Sequence, residues 1–339
     1  MIGPLRVRGR LSLERGFMRR SPESTDGKHL PFWRYRSRRT SGRGALRPAS
    51  KQGAWMSLAL LTSIPPARPG HETAPRDREY QRRCVESWLA AGVTLISLNP
   101  SEEAETIADE FPGVVVQTAK RDARAEFGRP LTYLSDSLTT LRGAGTKTIG
   151  IVNADVLFTG QASQLRKLDE RAQAGELIIV NRFDVADVSA RTGEFYPYGF
   201  DFFLLPASQS ASLDLEGFAF GVPWWDYWFP INCLLVGMNV TVMRSVVFRH
   251  VSHPTAWNLR NWHKGLKLFS FKLRAALRSR RDPDTPEISE IRAACESIFA
   301  SFENEKRIPS SIDGRGDAST FFLNWIYRQA SFVSFERRA

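Results

Sequence analysis

Asn153 and Asp155 stand two residues apart, directly after the apolar run TIGIV at residues 148–152. Side chains two residues apart in an extended chain point to the same side, so both oxygens can reach one cation. Mg²⁺ and Mn²⁺ prefer oxygen ligands of this kind, completed by phosphate oxygens and water. An amide and a carboxylate after a strand are also typical of a turn or a helix N-cap. The pair alone leaves both a metal site and a turn open.

Asp226 stands in a second unusual stretch, PWWDYW at 223–228, with Trp224, Trp225 and Trp228 around it. Apolar neighbours raise the pKa of a carboxyl group, which suits the group to accept a proton during catalysis. The indole rings offer flat apolar faces with a polar N–H. The same stretch fits the first turn of a buried helix, where the helix dipole stabilises a carboxylate. These residues alone leave both interpretations open.

Apolar strand-like runs alternate with helix-like segments and would position these residues. Strands are predicted at 56–63, 93–99, 114–118, 148–153 and 176–183, with helices between them. The strands are continuously apolar rather than alternating with polar residues. This pattern predicts an α/β fold with a mostly parallel sheet flanked by helices on both faces.

The carboxyl ends of parallel strands share one edge of the sheet, and ligands bind there. That edge would hold six polar side chains, those of Thr62, Ser63, Asn153, Asp155, Asn181 and Arg182. The first strand leads into TSIPPARPG, which contains neither the G-x-G-x-x-G nor the G-x-x-x-x-G-K-[ST] phosphate-binding loop. A nucleotide bound at this edge would therefore need a divalent cation to neutralise its phosphates.

The basic charge of the chain is concentrated at one end. The 339 residues carry a formal net charge of +11. Residues 1–54 hold 14 of the 47 Lys and Arg and 3 of the 36 Asp and Glu, which leaves 33 of each in residues 55–339. The first segment lacks apolar periodicity, so it is predicted to be a disordered basic leader, or to precede a true start at Met56. The electroneutral body gives no reason to expect a nucleic-acid partner.

The three cysteines are scattered and form no C-x-x-C pair, so neither a zinc knuckle nor a disulfide-rich secreted domain is indicated. A reducing, cytoplasmic location is predicted. The most apolar window, residues 224–243, has the length of a membrane span. It contains Asp226, Pro230, Asn232 and Asn239, which make it a poor candidate for one.

The order of these motifs resembles that of the nucleotide-diphospho-sugar transferases with the GT-A fold. The resemblance covers residues 55–258. It rests on Ser-x-Pro after the first strand, the D-x-D-like NAD at 153–155, GFDFFLLP at 199–206, FGVPWWDYW at 220–228 and RHVSHPTAWN at 249–258. It implies a catalytic domain that moves a sugar from a nucleotide-diphosphate sugar to a hydroxyl group of a glycan or lipid-linked acceptor.

The resemblance also implies metal ligands. In this family the D-x-D group binds a divalent ion that bridges the diphosphate of the donor, so Asn153 and Asp155 would bind Mn²⁺ or Mg²⁺. An Asn stands first here instead of an Asp, which would weaken the contribution of position 153 to metal binding. A late histidine often completes the metal shell, and His250 and His253 are the candidates. A surface histidine pair with no ligand role is the alternative.

Further residues take roles by the same resemblance. Asp226 would deprotonate the acceptor hydroxyl group, and the three neighbouring tryptophans would stack on sugar rings. Asp201 would face a sugar, with a hairpin turn as the alternative. Thr62, Ser63 and Arg182 would contact the donor at the strand edge, Arg182 through a phosphate or a sugar hydroxyl group.

Two other functions remain open. A sugar-1-phosphate nucleotidyltransferase would need a Gly-rich basic loop after the first strand, which is missing. A non-catalytic protein that binds nucleotide sugars or glycans would tolerate the Asn at position 153.

Residues 259–339 are predicted to be a helical extension packed on the same domain. No Asp or Glu occurs between Asp226 and Asp282, and apolar and basic residues alternate at helical spacing over 259–281. This basic amphipathic helix could lie on an anionic membrane surface. A helix packed on the sheet with a solvated basic face is the alternative.

Overall fold

The structure is a computed structural model that describes residues 57–66, 75–196, 198–253, 258–303 and 317–335. The predicted leader at 1–54 and the alternative start at Met56 lie outside the described residues. Residues 254–257 of the last motif lie outside them as well.

Ten strands form one sheet in the described part of the chain. They are β1 (Leu58–Thr62), β2 (Thr94–Asn99), β3 (Val115–Thr118), β4 (Thr148–Val152), β5 (Leu157–Phe158), β6 (Glu176–Val185), β7 (Gly193–Phe195), β8 (Phe202–Pro206), β9 (Asn239–Val251) and β10 (Ser331–Val333). Their order is β10-β9-β6-β8-β4-β1-β2-β3, with β5 paired to β9 and β7 paired to β6. Along that order, β8 runs antiparallel to β4 and β6, and the remaining neighbours are parallel. The predicted mostly parallel sheet is confirmed.

Helices cover both faces of the sheet, as the sequence predicts. They are α1 (Pro75–Ala90), α2 (Ser101–Glu110), α3 (Arg124–Phe127), α4 (Leu134–Gly143), α5 (Ala162–Gln173), α6 (Trp225–Leu235), α7 (Leu259–Ser279), α8 (Pro286–Glu303) and α9 (Ala318–Gln329). Strand β1 shows how the two layers arise, because its side chains alternate between faces. Leu58 and Leu60 pack in a core with residues of α1, α2 and α5. Ala59 and Leu61 pack in the other core, with residues of α4 and α6–α9.

The strand order reverses between β1 and β4. From β1 the chain adds β2 and β3 on one side, whereas β4 lies on the other side of β1. A crevice forms at such a reversal, outside the carboxyl ends of the strands. The residues that follow β4, β6 and β9 lie at this edge, and so do those that precede β8, because β8 runs in the opposite direction. Four separate parts of the sequence therefore reach one edge of the sheet.

The apolar window at 224–243 contains α6, a turn and the beginning of β9. It is apolar because α6 is buried between the sheet and α7, with eight of its eleven residues buried. Within the described residues, no helix has the length and apolarity needed to cross a bilayer.

The C-terminal residues contribute to both the helical layer and the sheet. Helix α7 packs on α6 and α8, and α9 packs on α6. Strand β10 then pairs in parallel with β9, from Ser331 opposite Thr241 to Val333 opposite Met243. Sequence reasoning predicted helices here but not this edge strand.

Candidate metal and catalytic site

Three ligand atoms meet at the carboxyl edge of the sheet. Nε2 of His253 lies 3.1 Å from Oδ2 of Asp155 and 3.1 Å from Nε2 of His250. Nε2 of His250 lies 3.4 Å from the same Asp155 oxygen. Asp155 follows β4, His250 is near the end of β9, and His253 comes two residues after that strand. We call these three residues the metal-ligand cluster, because their atoms are close enough to hold one ion.

A divalent cation fits the donor atoms of the metal-ligand cluster. Ligands about 2.1 Å from one ion, at angles of about 90–110°, lie about 3.0–3.4 Å from each other, as these three atoms do. In addition, Oδ1 of Asp155 is buried and accepts no hydrogen bond from the described residues. A buried carboxylate oxygen without a donor is costly unless a cation or water completes it. The site therefore suits an ion such as Mn²⁺, which accepts both imidazole and carboxylate ligands.

Asp184 orients His250 from behind. Its Oδ1 lies 3.0 Å from Nδ1 of His250, which leaves Nε2 pointing at the other two ligands. A histidine that binds a metal commonly donates its second ring N–H to a carboxylate in this way. His250 is 2% exposed, so its ring has little freedom to turn away. Asp184 in turn accepts a hydrogen bond of 2.8 Å from Nε of Arg182.

The charges of the site stabilise each other. Burial alone would raise the pKa of Asp155, but hydrogen bonds to His250 and His253 lower it well below its usual range. Burial alone would lower the pKa of His250, but the hydrogen bonds to Asp155 and Asp184 raise it to about 9. The carboxylate of Asp155 is thus ionised at neutral pH, as a metal ligand must be.

Asn153 is near the cluster but faces another partner. Its side-chain amide donates a hydrogen bond to Oδ1 of Asp201, and its backbone N–H donates to the Asp201 carbonyl oxygen at 3.0 Å. The other carboxylate oxygen of Asp201 lies 3.1 Å from Nη1 of Arg182. The guanidinium carbon of Arg182 is 4.0 Å from the centre of the Tyr196 ring. Arg182 therefore links the carboxylates of Asp184 and Asp201, with Asn153 on the far side of Asp201.

Asp226 lies in the first turn of α6 and packs against the segment before β8. A Cβ atom at Gly199 would collide with Oδ2 of Asp226, so the two approach closely only because position 199 is glycine. Burial, together with the negative charge of Asp201, raises the pKa of Asp226 to about 7. A carboxylate with such a pKa is suited to accept a proton near neutral pH.

Trp224, two residues before Asp226, adopts a strained conformation. Trp224 has φ of 84°, in the left-handed region that bulky residues rarely occupy. Strain of this kind is kept where the surrounding packing enforces it, and it is frequent at active sites. Here Trp262 and Phe269 of α7 pack on the Trp224 ring, with ring centres 5.3 and 5.1 Å away.

The structure places the three tryptophans of this stretch in the core rather than at the sheet edge. Trp224, Trp225 and Trp228 are 1%, 4% and 1% exposed. Trp225 packs on Phe203, and Nε1 of Trp228 donates a hydrogen bond to the carbonyl oxygen of Asp214 at 2.5 Å. None of the three rings offers a face to a sugar in this structure.

Thr62 and Ser63 stand at the carboxyl end of β1, beside the strand reversal. Oγ1 of Thr62 is buried and has no hydrogen-bond partner among the described residues. Oγ of Ser63 lies 3.4 Å from Oγ1 of Thr132. A buried hydroxyl group without a partner is available to hydrogen-bond a ligand in the crevice.

Sequence reasoning missed two residues of the site. Asp184 stands two positions after Arg182, and this spacing on a strand already indicates a shared face. Tyr196, which stacks on Arg182, comes from a short hairpin that the sequence pattern did not reveal. The sequence placed Asn181 and Arg182 at the carboxyl edge of the sheet, at the end of the fifth predicted strand, whereas β6 continues to Val185.

No protein-family model and no curated protein matches this sequence. Among solved structures, the chain is similar to TarS of S. aureus, residues 1–349 in complex with UDP-GlcNAc. That match has a TM-score of 0.44 at 9% identity and covers 75% of this chain and 76% of that chain. A longer TarS structure matches with a TM-score of 0.43 at 10% identity, over 73% of this chain but 44% of that chain.

The chain is also similar to Rv0371C of Mycobacterium tuberculosis H37Rv, solved as a complex with manganese. The TM-score is 0.35 at 13% identity, over 62% of this chain and 97% of that chain. Likeness at these identities concerns the fold, so the chemistry has to be derived from the residues of this chain.

Proposed function

We propose that this protein is a glycosyltransferase of the GT-A type. It would transfer a sugar from a nucleotide-diphosphate sugar to a hydroxyl group of a glycan or lipid-linked acceptor, with the assistance of a divalent cation. The observation that carries the proposal is the metal-ligand cluster of Asp155, His250 and His253 at the carboxyl edge of the sheet. The strand reversal beside it supports a nucleotide at the same edge.

Asp155, His250 and His253 would hold the cation, and Asp184 would keep the ring of His250 in place. When bound, the cation supplies positive charge to the diphosphate that leaves the sugar. Two imidazole ligands favour Mn²⁺ over Mg²⁺, because Mg²⁺ takes mainly oxygen ligands. Asn153 is held by Asp201, so Asp155 provides the carboxylate of the predicted D-x-D-like group.

Asp226 would accept the proton of the acceptor hydroxyl group as that oxygen attacks the sugar. Its raised pKa supports this role, because a base with a pKa near 7 is ionised at working pH and still holds a proton well. Arg182 and Asp201 connect the cluster to Asp226. The negative charge of Asp201 is one cause of the raised pKa of Asp226, and Arg182 binds Asp201 at 3.1 Å.

A protein that binds nucleotide sugars without turnover is the second candidate. The replacement of the first D-x-D carboxylate by Asn153 favours it. The variant Asp226→Asn separates the two functions, because it keeps the shape and removes the base. In a transferase it lowers turnover about 10²–10⁴-fold with little change in donor affinity, whereas a binder shows no turnover in either form.

A thermal-shift screen tests the donor and the cation together. The full chain is heated with a panel of nucleotide sugars that includes UDP-GlcNAc, with and without Mn²⁺. A donor at 100 times its Kd stabilises the folded state by about 2.7 kcal/mol, so its melting temperature rises. We expect a rise only when Mn²⁺ is present, and none with Asp155→Ala. The proposal is wrong if no nucleotide sugar raises the melting temperature under either condition.

A further inference from the structure

One side of α7 is a solvent-exposed basic stripe. It consists of Arg260, Lys264, Lys267, Phe271 and Arg278, all exposed and three, four or seven residues apart, which places them on one side of the helix. We call these five residues the α7 basic face. The opposite side, including Leu266, Phe269 and Leu273, is buried against the rest of the protein. Packing in the core therefore accounts for the buried side but not for the composition of the exposed one.

In the described part of the chain, the basic residues beside this face have acidic partners, whereas most of those on it do not. Lys272 contacts the Asp214 carboxylate at 2.7 Å, and Arg274 contacts Glu296 at 2.9 Å. Within the described residues, no carboxylate lies within 4 Å of Arg260, Lys267 or Arg278, a group that carries three positive charges. Helix α7 itself contains no Asp or Glu that could balance them.

Phe271 occupies the middle of the α7 basic face and is 59% exposed. Leu259, at the first position of the helix, is 58% exposed. Large apolar side chains between unpaired cations are costly in water. The same combination is favourable at a bilayer surface, where the ring enters the headgroup boundary and the cations meet lipid phosphates.

We propose that the α7 basic face binds the surface of a bilayer that contains anionic lipids, with the helix axis parallel to the membrane. This contact is independent of the proposed transferase activity. Charge complementarity identifies the occupant, since the face has no acidic residue and a bilayer supplies many phosphates. The apolar layer just below those phosphates can also bury the exposed ring of Phe271, whereas the phosphate backbone of a nucleic acid could not.

The position of α7 in the fold brings such a membrane close to the candidate site. Gly265 allows the helix to touch the backbone of Pro223, because a Cβ atom there would collide with the Pro223 carbonyl oxygen. Pro223 comes three residues before Asp226. The bilayer surface would thus lie about one helix diameter, on the order of 10 Å, from the turn that precedes α6.

Vesicle co-sedimentation tests the contact with the full chain. Vesicles of phosphatidylcholine alone are compared with vesicles that also contain phosphatidylglycerol. One variant carries Arg260→Gln, Lys267→Gln and Arg278→Gln. Its matched control carries Arg82→Gln, Arg166→Gln and Lys167→Gln, which removes the same charge from exposed positions on α1 and α5. A second variant, Phe271→Ser, keeps every charge.

We expect binding to the anionic vesicles only, and weaker binding as salt rises. Each basic residue near an anionic surface contributes about fivefold, so the triple α7 variant should bind on the order of 100-fold more weakly. Phe271→Ser should weaken binding several-fold, and the control triple variant should bind within about threefold of the unchanged protein. Melting temperatures of all variants verify that they fold.

Three results would overturn the proposal. Equal recovery with neutral and anionic vesicles would exclude an electrostatic contact. Equal losses of vesicle binding in the α7 variant and the control would show that binding depends on the total charge of the protein, to which residues 1–54 also contribute. Unchanged vesicle binding by the α7 variant, combined with lost binding of a single-stranded oligonucleotide, would assign the face to nucleic acid. None of these assays uses a sugar donor, so their outcomes do not depend on whether the protein has the proposed transferase activity.

Discussion

His250 is held at both ring nitrogens, by Asp184 at Nδ1 and by the metal-ligand cluster at Nε2. This arrangement determines which nitrogen can bind an ion. A simple surface pair of histidines would not need a buried ring or a carboxylate behind it. At the residue scale, we therefore expect metal binding to depend on Asp184 as well as on the three candidate ligands.

Asp184→Asn tests the role of the carboxylate that orients His250. An amide oxygen accepts a weaker hydrogen bond from Nδ1, so the ring of His250 is held less firmly and Nε2 becomes less basic. We expect the affinity for Mn²⁺ to fall about 10–100-fold, as measured by titration calorimetry. Asp187→Asn is the matched control, because Asp187 is exposed and bonds Ser189. Equal Mn²⁺ affinities of the two variants would show that Asp184 does not support a metal site.

The raised pKa of Asp226 predicts a pH dependence. Below pH 7 the carboxyl group is protonated and cannot accept a proton, so turnover should rise with pH and level off above a midpoint of about 7. The same shift affects folding in the opposite sense. The folded state binds this proton more tightly than the unfolded chain, so Asp226 contributes stability at acid pH that is lost as the pH rises through about 7.

Two measurements verify this prediction. One is the pH profile of turnover, and the other is the free energy of unfolding between pH 5 and 8 for the unchanged protein and Asp226→Asn. The stability of the variant should depend less on pH over this range. A turnover profile that is flat from pH 5 to 8 would contradict the role of Asp226 as base.

At the scale of elements, a chain of hydrogen bonds connects α9 to the carboxyl edge of the sheet, where the candidate site lies. The Tyr327 hydroxyl group on α9 donates to Oδ1 of Asn181 on β6 at 3.1 Å. The amide nitrogen of Asn181 donates to the carbonyl oxygen of Gly199 at 2.9 Å. Gly199 in turn packs on Asp226. The C-terminal helices thus support the segment that positions Asp201 and Asp226.

Tyr327→Phe removes the first hydrogen bond of this chain and leaves the ring in place. We expect the free energy of unfolding to fall by about 1 kcal/mol, because the buried Asn181 oxygen loses its donor. The KM for the sugar donor should rise, since the segment before β8 becomes less restrained. Tyr198→Phe is the control, because Tyr198 is half exposed and its hydroxyl group bonds none of the described residues. Equal stability of both variants would contradict the connection.

Local sequence patterns predicted the elements of the first half well. Strands β1, β2 and β4 and the first part of β6 follow the continuous apolar runs, because burial on both faces leaves no polar alternation. Strand β3 also matches a predicted run, although it lies at the edge of the sheet and is mostly exposed. The antiparallel direction of β8 could not be predicted, since FFLLP is equally apolar in either direction. The pairing of β10 depends on contacts with β9, which is about 90 residues away in sequence and leaves no local signal.

The whole molecule combines an electroneutral body with a locally basic helix. The sequence showed where the charge lies along the chain, and the structure shows that α7 directs to solvent basic side chains with no carboxylate partner among the described residues. The sequence also predicted the residue types of the candidate site, Asp155 with His250 and His253. It could not show that Asn153 faces Asp201 or that the tryptophans beside Asp226 are buried, because both depend on packing between distant elements.

The proposed metal-assisted transfer is tested by the rate at which the full chain, with Mn²⁺, releases nucleoside diphosphate from a panel of nucleotide sugars. We predict release from at least one donor, loss of release with a chelator, and a fall of at least tenfold in His253→Ala. His263→Ala, on the exposed side of α7, should behave like the unchanged protein. A release rate that neither the chelator nor His253→Ala changes would contradict the role of the metal-ligand cluster. No release from any donor would contradict the transferase activity itself.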